Sequence, residues 1–292
     1  MNEAIEELIE RVTWRGGDVD VRQRATRVDG VYESKQEYRE LLKADIKQLT
    51  TLQRRLFIER SQALLIILQG LDTAGKDGII RHVLRAFNPQ GCRVYSFRTP
   101  TSEEVAHDFL WRTTRYLPER GQISVFNRSH YEEVLVVRVH PELLAAEHAD
   151  AKSIADGSVW KARYQAILAQ EKHLQSSGTR IVKLMLHISP EEQARRLLAR
   201  LDNPAKNWKF QPSDLEERRF WDDYMAAYSA CLSATSTPEA PWHILPADDK
   251  RTARLLAAGI IVRALKGMEL LEPEVSEARA GELSAMRQRM QI

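Results

Sequence analysis

The chain is expected to be an α/β protein with a parallel five-stranded sheet and helices on both faces. Three observations carry that expectation. Short apolar runs alternate with helical patterns five times along the chain, the signature of strand–helix–strand units. The first run, Ala63–Leu68, is apolar at every position, as in a strand buried on both faces. Chemically distinctive residues fall just beyond the strands, where open α/β sheets bind ligands.

The elements follow in order. Residues 1–32 are charged, weakly patterned and broken at Gly16-Gly17. Tyr38, Leu41, Leu42, Leu49, Leu52 and Leu56 recur at helical spacing, which predicts a helix over Ser34–Arg60. After the strand Ala63–Leu68 comes a glycine-punctuated loop, Gly70–Gly78, and a helix over Ile79–Phe87. Arg93–Phe97 is the second strand. Thr101 and Glu104 form a capping-box pattern that opens a helix to about Tyr116. Ile123–Phe126 is the third strand and Ser129–Arg138 a helix. Residues 144–158 suit a connector and Trp160–Gln175 a helix. Ile181–Ile188 is the fourth strand, with helices over Pro190–Ala199 and Phe220–Leu232. Trp242–Leu245 is the fifth strand, Asp249–Lys266 a helix, and the tail from Glu269 a loosely docked segment. This divides the chain into an N-terminal helical extension (1–60), a core (61–268) and a C-terminal tail (269–292).

Composition narrows the function. The 43 basic and 41 acidic residues give a net charge of +2, so nothing global asks for nucleic acid or a membrane surface. The longest apolar run is too short to cross a bilayer, and the N-terminus lacks a signal-peptide apolar stretch. Cys92 and Cys231 are far apart, as expected of two reduced packing thiols in a cytoplasmic protein.

The loop Gly70-Leu71-Asp72-Thr73-Ala74-Gly75-Lys76-Asp77-Gly78 contains G-x4-G-K. Such glycines let backbone N–H groups converge on phosphate oxygens, the lysine adds charge, and the next helix aims its N-terminus at the same anion. In nucleotide-binding P-loops the residue after the lysine is Ser or Thr, whose hydroxyl holds Mg²⁺; here it is Asp77. Either the metal is organised differently, or the phosphate chain is not an ordinary nucleoside triphosphate. Asp72 is a second carboxylate beside the phosphates: a solvated turn residue, or a Mg²⁺ ligand or orienter of the attacking oxygen.

Beyond the third strand stand Asn127-Arg128-Ser129-His130-Tyr131-Glu132-Glu133. A magnesium-associated Asp is usual at this place, and Asn127 is a neutral oxygen donor instead. Arg128 suits bidentate contact with phosphoryl oxygens. Ser129 and Glu132 match a capping box, so Glu132 is open between cap and metal ligand, and Glu133 between a solvated helix residue and metal ligand. After the fourth strand, Arg195, Arg196, Arg200, Lys206, Lys209, Arg218 and Arg219 surround a Pro-broken segment bearing Trp208 and Phe210. It reads as a lid at about 195–225 that brings charge over phosphates, or as a solvated helix pair. Arg81, His82 and Arg85 extend a basic track from the loop, as a long polyanion would need.

Taken together, GLDTAGKDG, PTSEEVAHDFLWR, FNRSHYEEVLVVRVHPE and LDNPAKNWKF…DLEERRFWDDY resemble the second family of polyphosphate kinases from about Tyr32 to Met268. The resemblance implies a three-layer α/β/α P-loop kinase fold with a helical lid. It implies Mg²⁺-dependent, reversible phosphoryl transfer between inorganic polyphosphate and AMP, ADP or ATP, with guanine nucleotides as further acceptors; an ATP-dependent, thymidylate-kinase-like enzyme is the alternative. Asp72, Lys76 and Arg128 are then the expected catalytic residues. Gly70, Ala74, Gly75, Asp77, Gly78, Arg81, Arg85, Lys206 and Lys209 would hold phosphates, and Asp108, Phe109, Arg112 and Arg200 the acceptor nucleotide. Asp72, Asn127, Glu132 and Glu133 are the candidate metal ligands, and a homo-oligomer is the expected assembly.

Overall fold

The computed structural model describes residues 3–146, 151–205, 207, 210–272 and 277–290. All five expected strands form: β2 (Ala63–Gln69), β3 (Cys92–Ser96), β4 (Ile123–Asn127), β5 (Thr179–His187) and β6 (Trp242–Pro246). They pair in parallel, but the sheet has six strands in the order β1-β6-β5-β2-β4-β3. The extra strand, β1 (Thr13–Trp14), runs antiparallel to β6, with Thr13 opposite His243 and Trp14 opposite Trp242. The expectation of five parallel strands is corrected accordingly: the sheet is mixed. Two residues are too few to show a period. They reach β6 because the preceding helix α1 (Glu3–Val12) buries Ile5, Leu8, Ile9 and Val12 along one stripe.

Residues along β2 alternate between two cores. Leu64, Ile66 and Leu68 join the cluster with α2 (Lys35–Glu59) and α13 (Lys250–Lys266). Leu65 and Ile67 join the opposite one, with α6 (Glu132–Val139), α9 (Ser158–Ser176) and α12 (Trp221–Thr235). Ser34 caps α2 by accepting from the Glu37 N–H, and Arg60 ends it in a left-handed turn.

Several expectations are corrected. The helix after the glycine loop begins at the lysine itself, as α3 (Lys76–His82), and a 3-10 turn follows at Leu84–Ala86. The capping box at Thr101 and Glu104 forms, but the expected helix to Tyr116 splits into α4 (Ser102–Val105) and α5 (Trp111–Thr114). Between them the Asp108 carboxylate accepts from the Leu110 N–H, a local turn that competes with helix. The expected connector over residues 144–158 is partly helical: α7 (Glu142–Ala146) ends in it and α8 (Ala151–Ala155) lies in it. In the basic stretch lie α10 (Pro190–Leu201) and α11 (Ser213–Glu217), and in the tail α14 (Glu277–Met290). Both cysteines are free. Among the described residues no helix is long and apolar enough to cross a membrane.

Candidate active site

The glycine loop leaves the C-terminal end of β2 at the middle of the sheet. Gly70 has φ of 146°, and a Cβ there would lie 2.7 Å from the Leu186 carbonyl oxygen, so β5 passes too close for any side chain. Gly75 begins α3 at φ of 119°, a conformation that L-residues rarely take. Lys76 is buried, and its ammonium donates to the carbonyls of Gly70 (2.5 Å) and Leu71 (3.3 Å). Burial, then the nearby Arg128, push its pKa down to about 8.

The adjacent strand β4 supplies the facing groups. Arg128 sits in the left-handed region at φ of 64°, with its N–H bonded to the Leu68 carbonyl. Its guanidinium meets Asp72 at 2.6 Å and Glu132 at 3.5 Å. Burial alone would raise the Asp72 pKa, but Lys76, Arg128 and Arg200 outweigh it and hold the carboxyl below its ordinary value. Glu132 beside it raises the Arg128 pKa further. Asn127 donates to the Asp77 carboxylate at 3.1 Å and lies 3.5 Å from the Ser96 hydroxyl. The capping box expected at Ser129 does not form, because the Ser129 hydroxyl accepts from the Tyr131 N–H instead and α6 begins at Glu132.

The two neighbouring glutamates part company. Glu132 meets Arg128, whereas Glu133 is buried and pairs with Arg163 (3.6 Å) on α9. The expected acceptor residues separate too. Arg112 donates to the Arg98 carbonyl at 2.7 Å and lines a cleft of about 290 Å³ beside the end of β3, with Tyr95, Ser96, Phe97, Thr99 and Tyr116. Asp108 is the turn residue described above, and Phe109 packs beneath the Arg163 guanidinium, 5.1 Å from its ring centre. Arg200 pairs with Asp214 at 3.3 Å.

Ala74 is buried in the loop, and Gly78 packs against the Arg254 guanidinium. Arg81 and Arg85 are exposed. The His82 pKa is lowered by burial first, then by Arg254, Arg85 and Arg81, so these cations share one region. Lys206, Trp208 and Lys209 lie outside the described residues. Arg196, grouped by sequence with the lid cations, is 6% exposed and turned to the loop backbone.

Among the described residues no cluster of three or more His, Cys, Asp or Glu forms a ready metal site. Oxygen donors are nevertheless at hand. The Asn127 side-chain oxygen is buried and accepts no hydrogen bond, while its amide nitrogen donates to the nearby Asp77 carboxylate. Mg²⁺ suits such a set, because it is commonly held by one or two carboxylates completed by water and substrate phosphates.

A lysine-bearing loop at the end of a central parallel strand, facing an arginine held between two carboxylates, is the equipment of a P-loop phosphotransferase. The comparisons give the family. Residues 32–273 match Polyphosphate kinase 2, and the chain belongs to that family and is a polyphosphate kinase. It is 52% identical over 275 residues to an ADP-polyphosphate phosphotransferase of Rhodopseudomonas palustris, covering 94% of this chain and 95% of that one. It is 44% identical to an AMP/ADP-polyphosphate phosphotransferase of Meiothermus ruber, over 80% of this chain and 82% of that one. The crystal structure of Polyphosphate Kinase 2 from Arthrobacter aurescens superposes with a TM-score of 0.86 at 41% identity, covering 96% of each chain.

Proposed function

We propose that the chain transfers the terminal phosphoryl group of inorganic polyphosphate to AMP and to ADP, reversibly, on a P-loop kinase scaffold closed by a lid at about residues 195–225. The observation that carries this reading is the Asp77–Asn127 pair. Where nucleotide-triphosphate P-loops put a hydroxyl on the loop and a carboxylate at the strand end, this chain has a carboxylate on the loop and an amide at the strand end. Relatives with AMP and ADP in their names support the acceptor class.

In this reading Lys76 and Arg128 hold the oxygens of the transferring group, and the acceptor phosphate attacks in line. Such transfer asks for position and positive charge rather than a strong base. The Arg112 cleft, reached from Asn127 through Ser96, takes the acceptor nucleoside between Tyr95, Phe97 and Tyr116. Arg81, Arg85 and Arg254 carry the rest of the polyphosphate along α3, the 3-10 turn after it and α13, with Lys206 and Lys209 as further phosphate-binding residues. Asp72, Asp77 and Asn127 would hold Mg²⁺, with Glu132 balancing Arg128. The ion would neutralise phosphate charge. Purified protein with polyphosphate, Mg²⁺ and AMP, and no ATP, is expected to form ADP and then ATP. A strict requirement for ATP as donor would sink the proposal.

A further inference from the structure

A loop that offers its N–H groups to an anion must turn its carbonyls the other way. Buried carbonyls need donors; Lys76 serves those of Gly70 and Leu71, and the carbonyls of residues 72–74 are served from outside the loop. Helix α10 meets that need. Gln193 donates to the Asp72 carbonyl at 3.2 Å, and Arg196 donates through one nitrogen to the carbonyls of Thr73 (2.9 Å) and Ala74 (2.8 Å). Its other terminal nitrogen reaches the carbonyls of Ala247 (2.5 Å) and Asp248 (3.0 Å), and its Nε bonds Glu192 at 2.6 Å. An arginine has five N–H donors, and all five are used here, in a buried place.

Thr73, in the middle of the run, has φ of 65°. A β-branched residue in the left-handed region is strained, and such strain persists only where the surroundings over-determine it. Arg196 and Gln193 over-determine it from outside the loop. Gln193 is itself held by Arg218, whose guanidinium donates to its side-chain oxygen at 2.8 Å and to the Pro190 carbonyl at 3.1 Å.

We infer that Arg196, with Gln193, is a positioning residue for phosphoryl transfer: it fixes the outward carbonyls of residues 72–74 so that the phosphate loop stands preformed. With all five donors spent on protein acceptors, Arg196 has none left for a substrate. It works through the shape of its fork, with its charge balanced by Glu192. The inference rests on the loop being the phosphate site, as proposed above.

The test uses the full chain carrying Arg196→Lys, which keeps the charge but not the fork, and Gln193→Leu, which removes the donor to the Asp72 carbonyl and the acceptor for Arg218 at similar volume. Three things are measured: kcat with the KM for polyphosphate and for AMP, amide hydrogen exchange at residues 72–78 without substrate, and Tm. Arg196→Lys is expected to lower kcat by about tenfold or more and raise the KM for polyphosphate, with the KM for AMP unchanged. Exchange across 72–78 should rise with it. Gln193→Leu should lower kcat by about threefold, the scale of one hydrogen bond. Wild-type kinetics and exchange in Arg196→Lys would show that charge alone suffices and overturn the inference. A lower Tm with unchanged kcat, KM and loop exchange would also overturn it, by reducing Arg196 to a stability contact. If Arg196→Lys does not fold, Gln193→Leu decides, and wild-type behaviour there rejects the idea. The exchange measurement needs no substrate, so it separates a failure of this inference from a wrong choice of substrate.

Discussion

Two charged clusters flank the turn at residues 127–131, and they are built in opposite ways. On the cleft side, Arg128 lies between Asp72 and Glu132, and the side chains of Arg128 and Asp72 are each 37% exposed. On the core side, the Tyr131 hydroxyl donates to Glu171 at 2.6 Å, and Glu171 pairs with Lys183 at 2.8 Å. Lys183 is fully buried and also donates to the Thr235 carbonyl at 2.7 Å. His130 lies between the two clusters and adds no charge, because burial and then Lys183 push its pKa down to about 3. The open cluster leaves its ion pairs within reach of a solvent-borne anion, and in the proposed function a phosphate takes the place of a carboxylate there. The closed one cannot exchange anything, and it serves to hold the turn from behind.

The largest effect expected from this contrast lies in the core. Lys183→Met should cost about 3–5 kcal/mol of stability, because it strands a buried carboxylate. Lys183→Met with Glu171→Leu should recover much of that. Urea unfolding of the single and double variants checks the claim, and a double variant no more stable than the single one breaks it. Next come Lys76→Ala and Arg128→Ala. Each should lower kcat about 100-fold or more with stability little changed, since these groups act on transition-state charge. Loss of stability in place of loss of rate would erase the distinction between the clusters.

A pH profile sharpens the comparison. In the proposed reaction Lys76 acts as the ammonium, and burial holds its pKa at about 8. In the free enzyme kcat/KM should therefore fall as pH rises through about 8, well below the ordinary lysine range near 10.4. A profile flat to pH 10 would mean that the buried lysine does not control binding. The smallest effect is expected at Asn127. Asn127→Asp sets a second carboxylate against Asp77, which should tighten the apparent Mg²⁺ affinity and weaken AMP, each by about threefold to tenfold. Rates measured over a grid of Mg²⁺ and AMP concentrations give both numbers, and no change in either would remove Asn127 from the cleft.

The loop and the β4 strand end were legible because their chemistry is written in consecutive residues that need little tertiary context. Strand β2 was legible for the same reason, being apolar throughout. What escaped was set by packing. Glu132 and Glu133 differ by about 100° around α6, and only the position of α9 decides which one meets Arg163. In the sequence Arg196 reads with the cations of a lid over phosphates, or of a solvated helix pair. The spacing points the other way: Ala194, Leu197, Leu198 and Leu201 form the apolar stripe of α10, yet Leu198 and Leu201 end exposed while Gln193 and Arg196 are buried against the loop. The split between α4 and α5 turned on one Asp108 hydrogen bond, which helical periodicity does not register.

The pairing of β1 with β6 has a consequence for the order in which the molecule is made. Thr13 and Trp14 are synthesised early, yet their partners His243 and Trp242 come some 230 residues later. At ribosomal speeds that is a wait of roughly ten to fifty seconds. Throughout it, Ile5, Leu8, Ile9 and Val12 have no β6 or α13 to cover them, although all four end buried. Helix α1 is thus made before the strand and helix that cover it, and its apolar stripe is housed only once β6 and α13 have emerged.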